Sequence, residues 1–279
     1  MFDVQHPDVQ AAVVRALSED IGSGDVTSEL TIPDGLNASG SFLAKQALVL
    51  AGVELLPLIY GIRGGADVRL LKQSGAKLEK GDVIATVAGS ARTLLECERV
   101  ALNFMQRLSG VATLARQHVD AVSGTKVRVL DTRKTTPGLR QLEKMAAAAG
   151  GVTNHRFGLF DAVLIKNNHI TAAGGVRQAL ERTRAFPGNV EIEVRTRAEL
   201  EEALACGAKS LLLDNLTPAE AAEWVRHIAG RATTELSGNI HLANIRSYAE
   251  AAPDFISCGA ITHSAAAVDI SFRLELNPQ

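Results

Sequence analysis

The chain predicts an α/β protein: an incomplete or irregular βα barrel, preceded by an N-terminal α+β domain built on a mixed sheet. Three observations carry this. From Val127 onward, short apolar runs recur at intervals of about 20–35 residues, the length of a βα unit. Two of the segments between them open with capping boxes, Thr196-Arg-Ala-Glu199 and Thr217-Pro-Ala-Glu220. The stretch 268–276 alternates apolar and polar residues, which suits a half-buried antiparallel strand and not a barrel strand.

In chain order, strand-like runs over 36–50 and 66–87, with turns at Gly75-Ala76 and Gly81-Asp82, predict the mixed sheet. Residues 91–122 predict one long helix or a broken pair, with Gly110 as the break. Six barrel strands follow, over 127–130, 162–165, 190–194, 210–213, 233–236 and 255–258. They are short and apolar without alternation, as in a parallel sheet whose outer face is covered by helices. In the tail, Val268, Ile270, Phe272, Leu274 and Leu276 share one face, and Asp269, Ser271, Arg273 and Glu275 the other. The domain reading is therefore 1–110, completed by a returning strand at 268–277, and a barrel over 111–267.

Composition narrows the function classes. A net charge of −2 lacks the broad basic surface that nucleic-acid binding needs. No apolar run approaches the roughly 20 residues that span a bilayer. The start, Met1-Phe-Asp-Val-Gln-His-Pro-Asp8, has no basic segment of the kind that opens a signal peptide. Cys97, Cys206 and Cys258 are scattered and form no Cys-x-x-Cys, which suits a reduced, cytoplasmic setting and disfavours a catalytic thiol. Gly22-Ser-Gly24-Asp-Val-Thr27 lacks a third glycine and a preceding strand, so it is no dinucleotide fingerprint. His6, His118, His227 and His241 read as surface or packing residues.

The chemistry gathers at the strand ends, where βα barrels carry their reactive groups. Between Lys126 and Lys166 there are eight Lys/Arg against three Asp/Glu. The first strand ends in Asp131-Thr132-Arg133-Lys134 and the second in Lys166. The third carries Glu191 and Glu193, on one face by period-two geometry, and the fourth ends in Asp214-Asn215. The fifth ends in Ser237-Gly238-Asn239, and after the sixth comes Gly259. Arginine offers a planar fork for carboxylate or phosphate, and lysine a point charge. Ser-Gly turns admit an anion to backbone N–H groups. Glu193 and Asp214 form a pair suited to Mg²⁺ shared with phosphate oxygens, directly or through water. The whole asks for a phosphate-bearing ligand, a metal-bound polyphosphate and a second anionic partner.

Asp131-Thr-Arg-Lys-Thr-Thr-Pro-Gly-Leu-Arg140, Asn154-His-Arg-Phe-Gly-Leu159, Ile165-Lys-Asn-Asn-His169 and Ser237-Gly238 resemble the quinolinate phosphoribosyltransferase family, also called nicotinate-nucleotide pyrophosphorylase (carboxylating). Glu19-Asp-Ile-Gly-Ser-Gly-Asp-Val-Thr27 and Glu98-Arg-Val-Ala-Leu-Asn103 extend the resemblance to the N-terminal half. It implies a type II phosphoribosyltransferase fold. The implied reaction transfers phosphoribosyl from Mg²⁺-bound phosphoribosyl pyrophosphate to quinolinate, giving nicotinate mononucleotide, pyrophosphate and CO₂ for NAD synthesis. The implied quinolinate pocket is Arg133, His155 and Arg156, with Thr132, Lys134 and Lys166 close by, and Arg99 entering from the neighbouring subunit of a homodimer. The implied phosphoribosyl pyrophosphate side is Lys134, Lys166, Glu193, Asp214, Ser237, Gly238, Gly259 and His263. Catalysis falls to Lys134, Lys166, Glu193 and Asp214.

Two positions depart from the family pattern. Asn239 stands where many relatives have a further glycine, and Thr196 stands between Arg195 and Arg197 where an acid is common. Asparagine tolerates the left-handed conformation, so the turn should survive. The alternatives are a paralogue acting on another acceptor, a Schiff-base lyase using Lys166, and a non-enzymatic binding protein. The intact Asn154-His155-Arg156 and Lys166 motifs oppose the first. The cationic neighbours of Lys166, as suited to binding phosphate as to lowering a lysine pKa, weaken the second. The presence of Glu193, Asp214 and Lys134 together opposes the third.

Overall fold

The computed structural model describes residues 3–276; Met1, Phe2 and position 277 of the expected tail strand lie outside the described residues. Helices α1 (Pro7–Ile21) and α2 (Val26–Thr31) precede β1 (Asn37–Ala44) and β2 (Leu48–Val49). A 3-10 turn leads into α3 (Leu56–Ile62), β3 (Asp67–Leu70), β4 (Lys77–Leu78), β5 (Val83–Ser90) and α4 (Ala91–Ala121). Then come β6 (Arg128–Leu130), α5 (Arg140–Ala149), β7 (Val163–Ile165), α6 (Asn167–Ala173), α7 (Val176–Arg182), β8 (Val190–Val194) and α8 (Arg197–Ala205). The remainder is β9 (Ser210–Asp214), α9 (Pro218–Ile228), β10 (Thr233–Ser237), α10 (Ile245–Ala249), β11 (Phe255–Ser257), α11 (Ala260–His263) and β12 (Ile270–Leu276).

Two compact units result. The first takes the chain up to Arg116, Thr135–Gly151, and the chain from Thr262. Its four-stranded sheet has the order β12-β1-β5-β3, and each pairing is antiparallel, so the sheet mixes distant chain segments and not strand directions. The alternating tail is β12, paired along the whole of its length with β1 from Ala44↔Ile270 to Ala38↔Leu276. Phe272 packs on Phe42 at 4.8 Å between ring centroids and lies over Gly40, where an added Cβ would stand 2.1 Å from the ring. A side chain at that position would have to displace the ring.

Helix α4 is continuous through Gly110, so of the two expected readings the single long helix holds and the broken pair does not. The glycine serves packing: an added Cβ would lie 2.1 Å from the Ala266 carbonyl oxygen. One helix turn away, Arg107 gathers three separate stretches of this unit. It donates to Glu143 Oε1 from Nε at 3.0 Å and Nη2 at 2.7 Å, to the Ala265 carbonyl at 2.7 Å, and to the Thr262 carbonyl at 2.6 Å. The fully buried Glu143 also accepts the Thr136 N–H at 3.0 Å and hydroxyl at 2.7 Å.

The second unit, Gln117–Lys134 and Val152–Ile261, holds a parallel sheet of six strands ordered β6-β11-β10-β9-β8-β7. Each observed strand lies within one residue of its predicted run. Beyond β6 the ladder continues only as an isolated parallel bridge, Leu130↔Thr153. This is an α/β barrel of incomplete type. Leu211, Leu213, Ile192 and Val194 have no exposed surface, and burial of such side chains contributes about 1.5–3 kcal/mol each. Both capping boxes form: Thr196 and Glu199 exchange bonds of 3.2 and 3.3 Å, and Thr217 and Glu220 bonds of 3.3 and 2.8 Å.

Candidate active site

The C-terminal end of the six-stranded sheet collects the predicted groups that belong to the second unit. Directly after β6, the wholly buried Asp131 accepts from Asn154 Nδ2 at 2.6 Å and from the His155 backbone N–H at 2.8 Å. A carboxylate holding two donors in this way fixes the 153–156 segment to the end of the strand. Thr132 uses its hydroxyl to accept the Lys134 N–H at 3.0 Å, closing a tight turn that displays Arg133 and Lys134. The Arg156 guanidinium donates to the Ala162 carbonyl at 3.0 Å. Burial and the Arg133 charge lower its pKa, opposed by Asp161 and Glu191, so the two arginines are electrostatic neighbours.

Behind them stands a buried cluster that sequence reasoning did not assemble. His155 Nε2 lies 3.4 Å from a carboxylate oxygen of Glu191 on β8 and 3.4 Å from one of Glu235 on β10. Its Nδ1 accepts the Arg156 N–H at 2.7 Å, so Nε2 carries the ring hydrogen toward the carboxylates. Burial pulls the His155 pKa down, yet the hydrogen bonds and charges of Glu191 and Glu235 raise it to about 9. Burial raises the Glu235 carboxyl pKa against the lowering bond to His155, and the neighbouring Glu191 raises it further. Glu191 also accepts from Ser210 Oγ at 3.2 Å. The signal for both glutamates was available: each stands two residues before a predicted site residue, Glu193 or Ser237, and so shares its face of the strand.

A second cluster forms at the ends of β7, β8 and β9. Burial and the Asp214 charge raise the Glu193 pKa, while Lys166, the Asn167 N–H and Arg195 lower it. Asp214 and Lys166 are thus both within electrostatic reach of Glu193. Arg195 reaches across to Asn167 Oδ1. Thr196, which replaces the commoner acid, is consumed as the N-cap of α8, and Arg197 turns to Glu201 at 3.2 Å. The carboxylate pair consequently has two cationic neighbours and one fewer anion than the family pattern would supply.

Left-handed backbone shapes the next loop. Asn215, Gly238 and Asn239 have φ of 57°, 97° and 51°. The Asn215 N–H donates to the Ser237 carbonyl at 2.9 Å, and a Cβ on Gly238 would sit 2.7 Å from that nitrogen. Asn239 takes the left-handed geometry expected of it, and its amide donates to Asn215 Oδ1 at 3.3 Å. Gly259 follows β11 at the neighbouring strand end. The remaining two predicted residues lie in the first unit: Arg99 is exposed on α4, and His263 is exposed at the end of α11 with Nδ1 2.7 Å from Ser264 Oγ.

Comparison with known proteins places this arrangement. The family model described as quinolinate phosphoribosyl transferase, C-terminal domain, matches residues 111–273, and the corresponding N-terminal domain model matches 25–109. The chain is 40% identical to a probable nicotinate-nucleotide pyrophosphorylase [carboxylating] of Bacillus subtilis, over 93% of this chain and 91% of that one. It is also 40% identical to the chloroplastic nicotinate-nucleotide pyrophosphorylase [carboxylating] of Arabidopsis thaliana, over 97% and 84%. Among solved structures, NadC from Streptococcus pyogenes superposes with a TM-score of 0.94 at 37% identity, covering 100% of both chains. The nicotinate-nucleotide pyrophosphorylase from Francisella tularensis gives 0.91 at 35%, covering 96% of each.

Proposed function

The chain belongs to the quinolinate phosphoribosyl transferase family, and from that premise we propose how its own residues carry the reaction. The enzyme is a pentosyltransferase: it moves the phosphoribosyl group of phosphoribosyl pyrophosphate onto quinolinate with decarboxylation, giving nicotinate mononucleotide, pyrophosphate and CO₂. The observation that carries the assignment of roles is the division of the strand-end face into two charged groups, Arg133-His155-Arg156 and Lys166-Glu193-Asp214.

In this reading Arg133 and Arg156, with His155 and Thr132, receive the dicarboxylate and orient its ring nitrogen. That nitrogen already has a lone pair, so attack on the ribose carbon needs no general base. Lys134 and Lys166 stabilise the departing pyrophosphate, and Glu193 or Asp214 the positive charge that develops on the ribose, by charges fixed before the reaction begins. The turn at Ser237 and Gly238 after β10, and Gly259 after β11, offer backbone N–H groups to the terminal phosphate. Family membership implies Mg²⁺ bound with phosphoribosyl pyrophosphate. Glu193, whose pKa is raised by burial and by the adjacent Asp214, fits that ion: the pair carries negative charge that a divalent cation would balance. When bound, it would supply positive charge to the phosphate oxygens.

Transfer converts the ring nitrogen to a pyridinium, whose positive charge stabilises the electron pair left on the adjacent carbon as its carboxylate departs as CO₂; that carbon then takes up a proton to give nicotinate mononucleotide. Arg99 is assigned to the pocket of a neighbouring subunit, making the working form a homodimer. No helix among the described residues is long and apolar enough to cross a membrane. The reading is tested by pyrophosphate release from purified protein with Mg²⁺ and phosphoribosyl pyrophosphate, comparing quinolinate, nicotinate and no acceptor. Release that depends on quinolinate, with CO₂ in equal amount, is expected. Release with nicotinate alone would overturn the assignment of Arg133 and Arg156 to two carboxylates.

A further inference from the structure

We propose that Glu191 and Glu235 are positioning residues for the acceptor pocket: reaching in from β8 and β10, they hold the His155 ring in one orientation for the incoming pyridine dicarboxylate. The inference rests on the assignment of His155 to that pocket.

His155 is anchored at four points. Asp131 accepts its backbone N–H at 2.8 Å, the Arg156 N–H meets Nδ1 at 2.7 Å, and two carboxylates stand 3.4 Å from Nε2. A ring so held can neither flip nor exchange tautomers without breaking a bond. Side-chain exposure is 16% for the histidine, 7% for Glu191 and 3% for Glu235. Two acids at that depth are costly to desolvate and repel one another, and buried ionic clusters of this kind are commonly exchanged for apolar residues without loss of stability. Packing therefore gives no reason for placing them on β8 and β10, on either side of β9, whereas orienting one imidazole does. Other groups at the cluster include the Arg156 guanidinium, which senses Glu191, Ser210, bonded to Glu191, Ser257, bonded to Glu235, and the buried Cys258 thiol, which senses Glu235.

The test compares Glu191→Gln and Glu235→Gln with wild type, alone and in a His155→Ala background. Each substitution alone should raise the KM for quinolinate about tenfold or more, the scale of a lost charge-assisted hydrogen bond. The KM for phosphoribosyl pyrophosphate should stay within about twofold. In the His155→Ala background, the same substitutions should change the quinolinate KM less than about twofold, because the group they act through is gone. Ring ¹⁵N NMR of His155 at about pH 10, above its pKa of about 9 and therefore in the neutral form, should show one fixed tautomer in wild type and averaging in the variants. Equal rises in both KM values, or an undiminished effect in the His155→Ala background, would make the glutamates merely structural. Stoichiometric zinc in the purified wild type, lost in either variant, would overturn the proposal in favour of metal ligation. If the glutamine variants do not fold, Glu235→Asp, which keeps the charge but retracts it, serves in the same comparison. The ring spectrum needs no turnover. It decides the positioning role even if quinolinate proves not to be the acceptor.

Discussion

Gly238 shows what a single position can require. With φ at 97° and the Asn215 nitrogen 2.7 Å from where a Cβ would stand, no side chain fits without opening the turn. Gly238→Ala should raise the KM for phosphoribosyl pyrophosphate about tenfold or more and leave that for quinolinate within about twofold; steady-state kinetics on both substrates checks this. The sequence made this turn legible, down to the tolerance of Asn239 for left-handed geometry, because backbone conformation is written in residue type. It left the His155 cluster unread, since period-two spacing says which face Glu191 and Glu235 occupy but not which side chain meets them there. That cluster carries a pH dependence. Its histidine has a folded-state pKa of about 9 against an ordinary 6.5, so its contribution to stability is complete below pH 6.5 and is lost as pH rises through about 9. Urea denaturation at pH 6 and pH 9.5 should show a smaller decline for His155→Gln than for wild type.

Elements were more legible than their partners. The barrel strands announced themselves as short runs that are mostly apolar, as a strand covered on both faces requires apart from its site residues, and the tail because a half-buried strand must alternate. Helix α1 passed unread, although Pro7 at its start and the buried Val9, Ala12, Val13 and Leu17 have helical spacing. Gly110 left one long helix and a broken pair both open for a physical reason: a glycine that admits a neighbouring backbone looks, in sequence, the same as one that ends a helix. Thr196 is the informative case among the helices. Its hydroxyl caps α8 and its side chain has no further role among the described hydrogen bonds. Thr196→Ala should therefore cost about 1 kcal/mol of stability, measured by chemical denaturation. The KM for phosphoribosyl pyrophosphate should be unchanged.

At the scale of the molecule, no linker composition announces that the first unit is assembled from three stretches of chain. Arg107 is the residue that binds them, through Glu143 and Thr136 on one side and the Thr262 and Ala265 carbonyls on the other. Arg107→Ala leaves Glu143 buried without its counter-charge and should cost about 3–5 kcal/mol in urea or guanidinium unfolding. The homodimer reading has its own check. Inactive Arg99→Ala and inactive Lys134→Ala proteins, mixed under conditions of subunit exchange, should recover part of the wild-type pyrophosphate release through hybrids holding one intact site. Exchange without recovery would return Arg99 to its own subunit. The pairing of β1 with β12 has a consequence for how the protein is made. Ser39 meets Glu275 across 236 residues, so a ribosome completes almost the entire barrel before the edge of β1 can be closed. Throughout that interval the nascent chain displays an unpaired strand edge, the surface that invites aggregation. Translation halted before β12 should yield chains that depend on chaperones for solubility.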